Sequence, residues 1–136
     1  MHLLILEDDH ERIRRFGALL KGDDTMTVAR TAPSFIEAYR LLTNAPDLIC
    51  LDHDLFIDLP SDPDPGDGRD VSNFLVTQES ICPALIHSTN ADAADSMLFS
   101  MRDAGWRVER IAPLGDDWIE AYWFPTVLAI LSSGQR

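Results

Sequence analysis

The chain has 136 residues and is 46% hydrophobic, which suits one domain with one buried core and argues against disorder. Its formal net charge of −12 excludes an open basic surface for duplex nucleic acid; the charge serves solubility first and is compatible with cation binding. No apolar run reaches the length of a membrane span, and Met1 to Asp9 lacks the basic stretch of a signal peptide, so a cytoplasmic location is expected.

Leu3 to Leu6 is wholly apolar, as in a strand covered on both faces, and Glu7, Asp8 and Asp9 end it abruptly. From His10 to Leu20, Ile13, Phe16, Leu19 and Leu20 recur at helical spacing. Thr27 to Ala29 suits a second strand. Ser34, after Pro33, suits the N-cap of a helix reaching about Leu42, and Asn44-Ala45-Pro46 breaks it. Leu48 to Leu51 is a third strand, closed by Asp52, His53 and Asp54.

Residues 56–68 carry Pro60, Pro63 and Pro65 among Asp58, Asp62, Asp64 and Asp67, and end in Gly66 to Gly68. This is a long, solvated acidic loop, and its prolines spoil the usual calcium-loop pattern. A helix is expected from Arg69 to about Glu79 and a strand over Pro83 to Ile86, closed by His87 to Asn90. Ala91 to Ala104 is helical, with Gly105 as its stop. Arg107 to Ile111 is the fifth strand. Asp117 to Leu131 is a helix that Pro125 must kink or divide. Trp118, Tyr122, Trp123 and Phe124 suit core and a partner surface. Cys50 and Cys82 sit in or beside apolar runs and suit reduced core thiols.

Five β-α repeats predict an α/β fold: a doubly wound, five-stranded parallel sheet with helices on both faces, one domain over residues 1–136 with the acidic insertion at about 56–68. Ligands of such sheets bind outside the carboxyl ends of the strands. Clustered acids there repel and need a cation or a proton, and hard oxygen donors suit magnesium, manganese or calcium. Helix capping accounts for Asp9, and is available to Asp70 and Asp117, but not for Asp8 together with Asp52.

The paired acids after the first strand, the run Pro46 to Asp52 and the hydroxyl after the fourth strand resemble response-regulator receiver domains. The resemblance implies a flavodoxin-like fold, magnesium or manganese held by Asp8, Asp9 and Asp52, Asp52 as phosphoryl acceptor and Ser88 as the hydroxyl. Pro65 to Gly68 resembles the turn after the acceptor, displaced by the insertion. Receivers have a lysine before a proline at the end of strand five, where this chain has Ala112-Pro113, and an aromatic switch residue where it has Arg110. Lys21 is the chain's single lysine and lies on the first helix, so ordinary phosphorelay chemistry is not expected.

His53-Asp54 and His87 to Asn90 resemble a receiver offshoot that processes cyclic phosphates. That likeness implies a metal-dependent phosphoesterase opening a cyclic phosphodiester. Asp52, His53 and His87 are its candidate catalytic groups, and Asp54, Ser88 and Asn90 its phosphate contacts. Its ligand would be a phosphate-bearing small molecule, a nucleotide or an RNA end. For His10, on the first turn of a helix, a local hydrogen bond is the better reading, and Asn90 can equally cap a helix. The alternative is a divergent receiver, phosphorylation-independent or weakly phosphorylated, that signals by binding a protein partner, or a second copy, through the C-terminal helix.

Overall fold

The computed structural model describes residues 1–134. Five parallel strands, β1 (His2–Leu6), β2 (Thr25–Ala29), β3 (Leu48–Leu51), β4 (Ala84–His87) and β5 (Val108–Ile111), form one sheet in the order β2-β1-β3-β4-β5. The helices are α1 (His10–Leu19), α2 (Ala32–Arg40), α3 (Gly68–Leu75), α4 (Ala91–Asp103) and α5 (Phe124–Gly134). The strand order reverses between β1 and β3, which opens the crevice where such folds bind ligands. The expected doubly wound α/β architecture is therefore present.

Strand alternation divides the core in two. Leu4, Leu6, Ile49, Leu51 and Ile86 face α2, α3 and α4, where Phe35, Val71, Leu75, Met97 and Met101 cover them. Leu3, Ile5, Leu48, Cys50 and Leu85 point the other way, onto Phe16 of α1 and onto Trp118, Trp123, Val127 and Ile130 near and in α5. Both cysteines are free thiols. Among the described residues no helix is long and apolar enough to cross a membrane.

Several boundaries differ from the sequence expectation. Thr31, not Ser34, caps α2; Ser34 is the third helical residue and completes a capping box by returning a hydrogen bond to the Thr31 backbone, with Pro33 tolerated in the first turn. Asp67 and Asp70 form the same device at α3. That helix ends at Leu75 because the Thr77 hydroxyl and backbone N–H turn back onto the Phe74 carbonyl. Before Pro125 the chain makes a π-helical turn, Ile119–Trp123, where the Phe124 N–H reaches the Ile119 carbonyl. The wider turn passes into α5 and places Pro125 near that helix's start.

The start of α3 presses on the end of β3. The Gly68 N–H donates to the His53 carbonyl at 2.9 Å. A Cβ on Gly68 would lie 2.2 Å from the Asp52 carbonyl oxygen and 2.8 Å from the His53 Cα. Gly68→Ala is therefore expected to cost about 3 kcal/mol through overpacking against backbone. For a chain of this size that lowers the thermal midpoint by roughly 10 °C, read by circular dichroism. A change within 2 °C of wild type would contradict this packing.

Candidate functional site

Register builds the site. Leu6, Leu51 and Ile86 are paired across β1, β3 and β4, so the next residues, Glu7, Asp52 and His87, lie in one row at the carboxyl ends. By alternation they share the face of Ile5, Cys50 and Leu85, under α1 and the segment before α5. One oxygen each from Glu7, Asp8 and Asp52 lies within 4.8 Å of the other two. The acid cluster is thus Glu7, Asp8 and Asp52. Asp9 takes another job: its carboxylate caps α1 by accepting from the Arg12 N–H at 2.9 Å.

Glu7 is fully buried. Its Oε2 accepts from the N–H groups of Asp8 and Asp9, both at 3.1 Å, and its Oε1 accepts from His87 Nε2 at 3.0 Å. Burial pushes the Glu7 carboxyl up, but His87, the Asp9 N–H and Arg12 outweigh it and hold the group below the usual range. Asp52 goes the other way. Burial first, then the Glu7 charge, push it up to about 8 against the His53 N–H and Arg12. Burial also raises Asp8, although its Oδ2 accepts from the Phe56 N–H at 2.7 Å.

Arg12, one turn into α1, answers the cluster. Its Nη1 lies 3.6 Å from Glu7 Oε1 and 3.7 Å from Asp52 Oδ2. Its guanidinium lies 5.3 Å from the centroid of the Trp118 ring, which in turn stacks on His87 at 5.9 Å. No lysine replaces the one absent at Ala112; the positive charge comes instead from Arg12, on the helix that covers the same face. Arg110, at the expected switch position, instead pairs with Asp95 of α4 at 2.7 Å.

A cleft of about 410 Å³ opens over the cluster, lined by Asp8, Asp52, Asp54, Arg12, His10 and Thr89 among others. The candidate residues divide around it. His87 is fully buried and its Nδ1 has no hydrogen-bond partner among the described residues, so it acts on the cleft through Glu7. His53 is 8% exposed and lies within 2.7 Å of Asp54 Oδ1, with Asp67 3.6 Å from its other nitrogen. Ser88 is buried and its hydroxyl accepts from the Asn90 N–H, so Thr89 is the hydroxyl residue that lines the cleft. Asn90 caps α4 and also donates to Asp54 at 3.3 Å. His10, read from sequence as a local hydrogen-bonding residue, is the histidine on the cleft wall.

The three acids fit one hard divalent cation. They supply oxygen donors from two adjacent strands, and the raised Asp52 carboxyl marks a place where negative charge lacks compensation. Asp8 and Asp52 reach the cleft, and Glu7 lies beneath them.

Among the solved structures similar to this chain are response regulators and receiver domains. The chain is similar to a two-component response regulator from Clostridium difficile, with a TM-score of 0.71 at 19% identity over 100% of this chain and 99% of the other. It is similar to the receiver domain of a signal transduction histidine kinase from Syntrophus aciditrophicus, with a TM-score of 0.67 at 20% identity over 99% and 92% of the two chains. The manganese-bound form of the response regulator Rcp1 gives 0.62 at 17% identity, over 92% and 95%. No curated protein is significantly similar in sequence. These likenesses establish the fold alone. The sequence match to the cyclic-phosphate processing receiver domain runs over residues 2–103, takes in Glu7, Asp8, Asp52 and His87, and makes the chain a member of that family.

Proposed function

We propose that the domain binds magnesium or manganese through Asp8 and Asp52, with Glu7 beneath, and hydrolyses a cyclic phosphodiester. The observation that carries this reading is the Arg12 guanidinium, held by Trp118 beside Asp52 in the same cleft as the acids. Arg12 balances part of the charge of Glu7 and Asp52, and its remaining N–H donors would be available to a phosphoryl oxygen held beside the cation.

The cation would polarise a phosphoryl oxygen and lower the pKa of a bound water. The chain supplies the rest. Arg12 donates to the phosphoryl oxygen on its side, and its planar fork suits two such bonds. The Thr89 hydroxyl is available to a third oxygen. Asp54, held by His53 and Asn90, keeps its orientation at the cleft edge. Hydrolysis adds water across one P–O ester bond and leaves a phosphomonoester and an alcohol. The departing ring oxygen needs a proton, and His10 is the imidazole on the cleft wall placed to give it. His87 fixes Glu7 instead of meeting substrate.

The test uses manganese-loaded protein and adenosine 2′,3′-cyclic phosphate, with products followed by chromatography. Arg12→Gln and Asp52→Asn are each expected to lower turnover about a hundredfold or more, and His10→Ala by ~10²–10⁴-fold. Asp52→Asn purified in the same way also reports contaminating activity. Wild-type turnover in all three variants would overturn the mechanism. Absence of turnover in wild type would favour a protein-binding role, for which Tyr122 (53% exposed) and Leu128 (46% exposed) offer a surface beside and on α5.

A further inference from the structure

A second cleft, of about 530 Å³, lies between the turn that opens α2 and the proline-rich insertion. Phe56 and Asp58 line both this cleft and the acidic one. The Phe56 N–H is bonded to Asp8 while its side chain remains 74% exposed. Arg30 donates to the Asp8 carbonyl at 2.9 Å and to Asp58 at 3.2 Å. The wall between the clefts is therefore built from groups that touch a residue of the cation cluster. Because Phe56 and Asp58 are shared by both linings, the second cleft is within reach of a ligand whose phosphate sits in the acidic one.

The lining says which chemistry suits it. Phe56, Ile57, Pro33 and Pro65 give flat apolar surface. Among the described residues Arg30 is the one cation in the lining, and it is already paired with Asp58, so it leaves little charge for a second phosphate. Asp62 and Asp64 on the same wall repel further anions and accept N–H donors. A flat aromatic group that stacks and also carries amino donors is a nucleobase. A volume of this size lies within the range of small-molecule sites.

The geometry points to this cleft as the nucleobase subsite of a nucleoside cyclic phosphate, with Phe56 as its stacking platform. The inference rests on the reading of the acidic cleft as the phosphate site. It gives the exposed aromatic of the insertion a purpose that neither the core nor the cation site requires.

Calorimetry on manganese-loaded protein compares adenosine 2′,3′-cyclic phosphate with glycerol 1,2-cyclic phosphate, which has the ring but no base. The nucleotide is expected to bind roughly tenfold to a hundredfold more tightly. Phe56→Ala should erase that ratio and Phe56→Tyr should keep it, while Asp52→Asn weakens both ligands. Equal binding of the two by wild type, or a ratio that survives Phe56→Ala, overturns the subsite and leaves the phosphate site standing. Binding of neither ligand by wild type overturns the phosphate site and the subsite together.

Discussion

Metal-free protein is expected to lose stability as pH rises from about 4 to about 8, and manganese to restore it at the upper end. Asp52 sets the direction. Its carboxyl titrates at about 8 in the folded chain against an ordinary value of 3.8. Between those values the folded state keeps a proton that the unfolded state has released, so stability falls with each step up in pH. Asp8, also raised, adds in the same direction. Glu7 opposes at the acid end: its folded value is depressed, so its contribution is present above its ordinary 4.5 and is lost as pH falls below that. A cation replaces the proton, so its affinity should rise with pH up to about 8. Asp52→Asn carries no charge to repel Glu7. It should melt about 5 °C or more above metal-free wild type at pH 8 and should not respond to manganese. Thermal melts in chelator and in manganese, from pH 4.5 to 8.5, decide the matter. A wild-type midpoint that climbs from pH 5 to 8 in chelator would show that Asp52 is not the strained group.

The fold was legible because the strands carry it in local pattern. Apolar runs closed by acids or histidine marked β1, β3 and β4, and the helical periods between them left little choice of topology. The site was legible only in part. Its position followed from the carboxyl-end rule, but three of its members, Glu7, Asp52 and His87, depend on which way a side chain points, and that is a matter of parity; Asp8 joins from just beyond the strand end. Counting by twos from Leu3 and Ile5 reaches Glu7, and from Leu48 and Cys50 reaches Asp52. The same count from Leu85 reaches His87. Asp9, the other half of the acid pair read from sequence, lines the same cleft, but its carboxylate is engaged as the N-cap of α1. Arg12 was harder to find. It follows the cap by three residues on a helix whose Phe16 faces the sheet, yet its approach to Asp52 depends on Trp118, more than a hundred residues away. The second cleft had no signal beyond an apolar Phe56-Ile57 pair opening an acidic loop, because its opposite wall comes from the turn at Thr31 to Ser34.

That partition bears on the second large effect, the loss expected when His87 is removed. The imidazole is fully buried, 3.0 Å from Glu7, with Trp118 stacked on one side and Phe16 edge-on at 5.5 Å. His87→Ala leaves a void and leaves a buried carboxylate with Arg12 and backbone N–H groups as its remaining partners. Breaking a buried pair on one side costs about 3–5 kcal/mol, which here lowers the midpoint by roughly 10 °C or more. Stability loss alone cannot tell a proton donor from a positioning residue. His87→Gln can, because a glutamine amide N–H extends to about where Nε2 sits and can donate to Glu7 without exchanging a proton near neutral pH. If His87 positions Glu7, this variant regains most of the manganese affinity lost in His87→Ala, and turnover returns with it. If His87 is the acid that protonates the leaving oxygen, manganese affinity returns and turnover stays down by ~10²-fold or more. Calorimetry with manganese and turnover of the cyclic nucleotide, measured on the same preparations, give the two numbers. A double-mutant cycle with Glu7→Gln completes the argument, because a pair in direct contact should show a coupling of about 1–3 kcal/mol. Additive losses would mean that His87 supports the aromatic cluster of Phe16, Trp118 and Trp123 and does not hold Glu7.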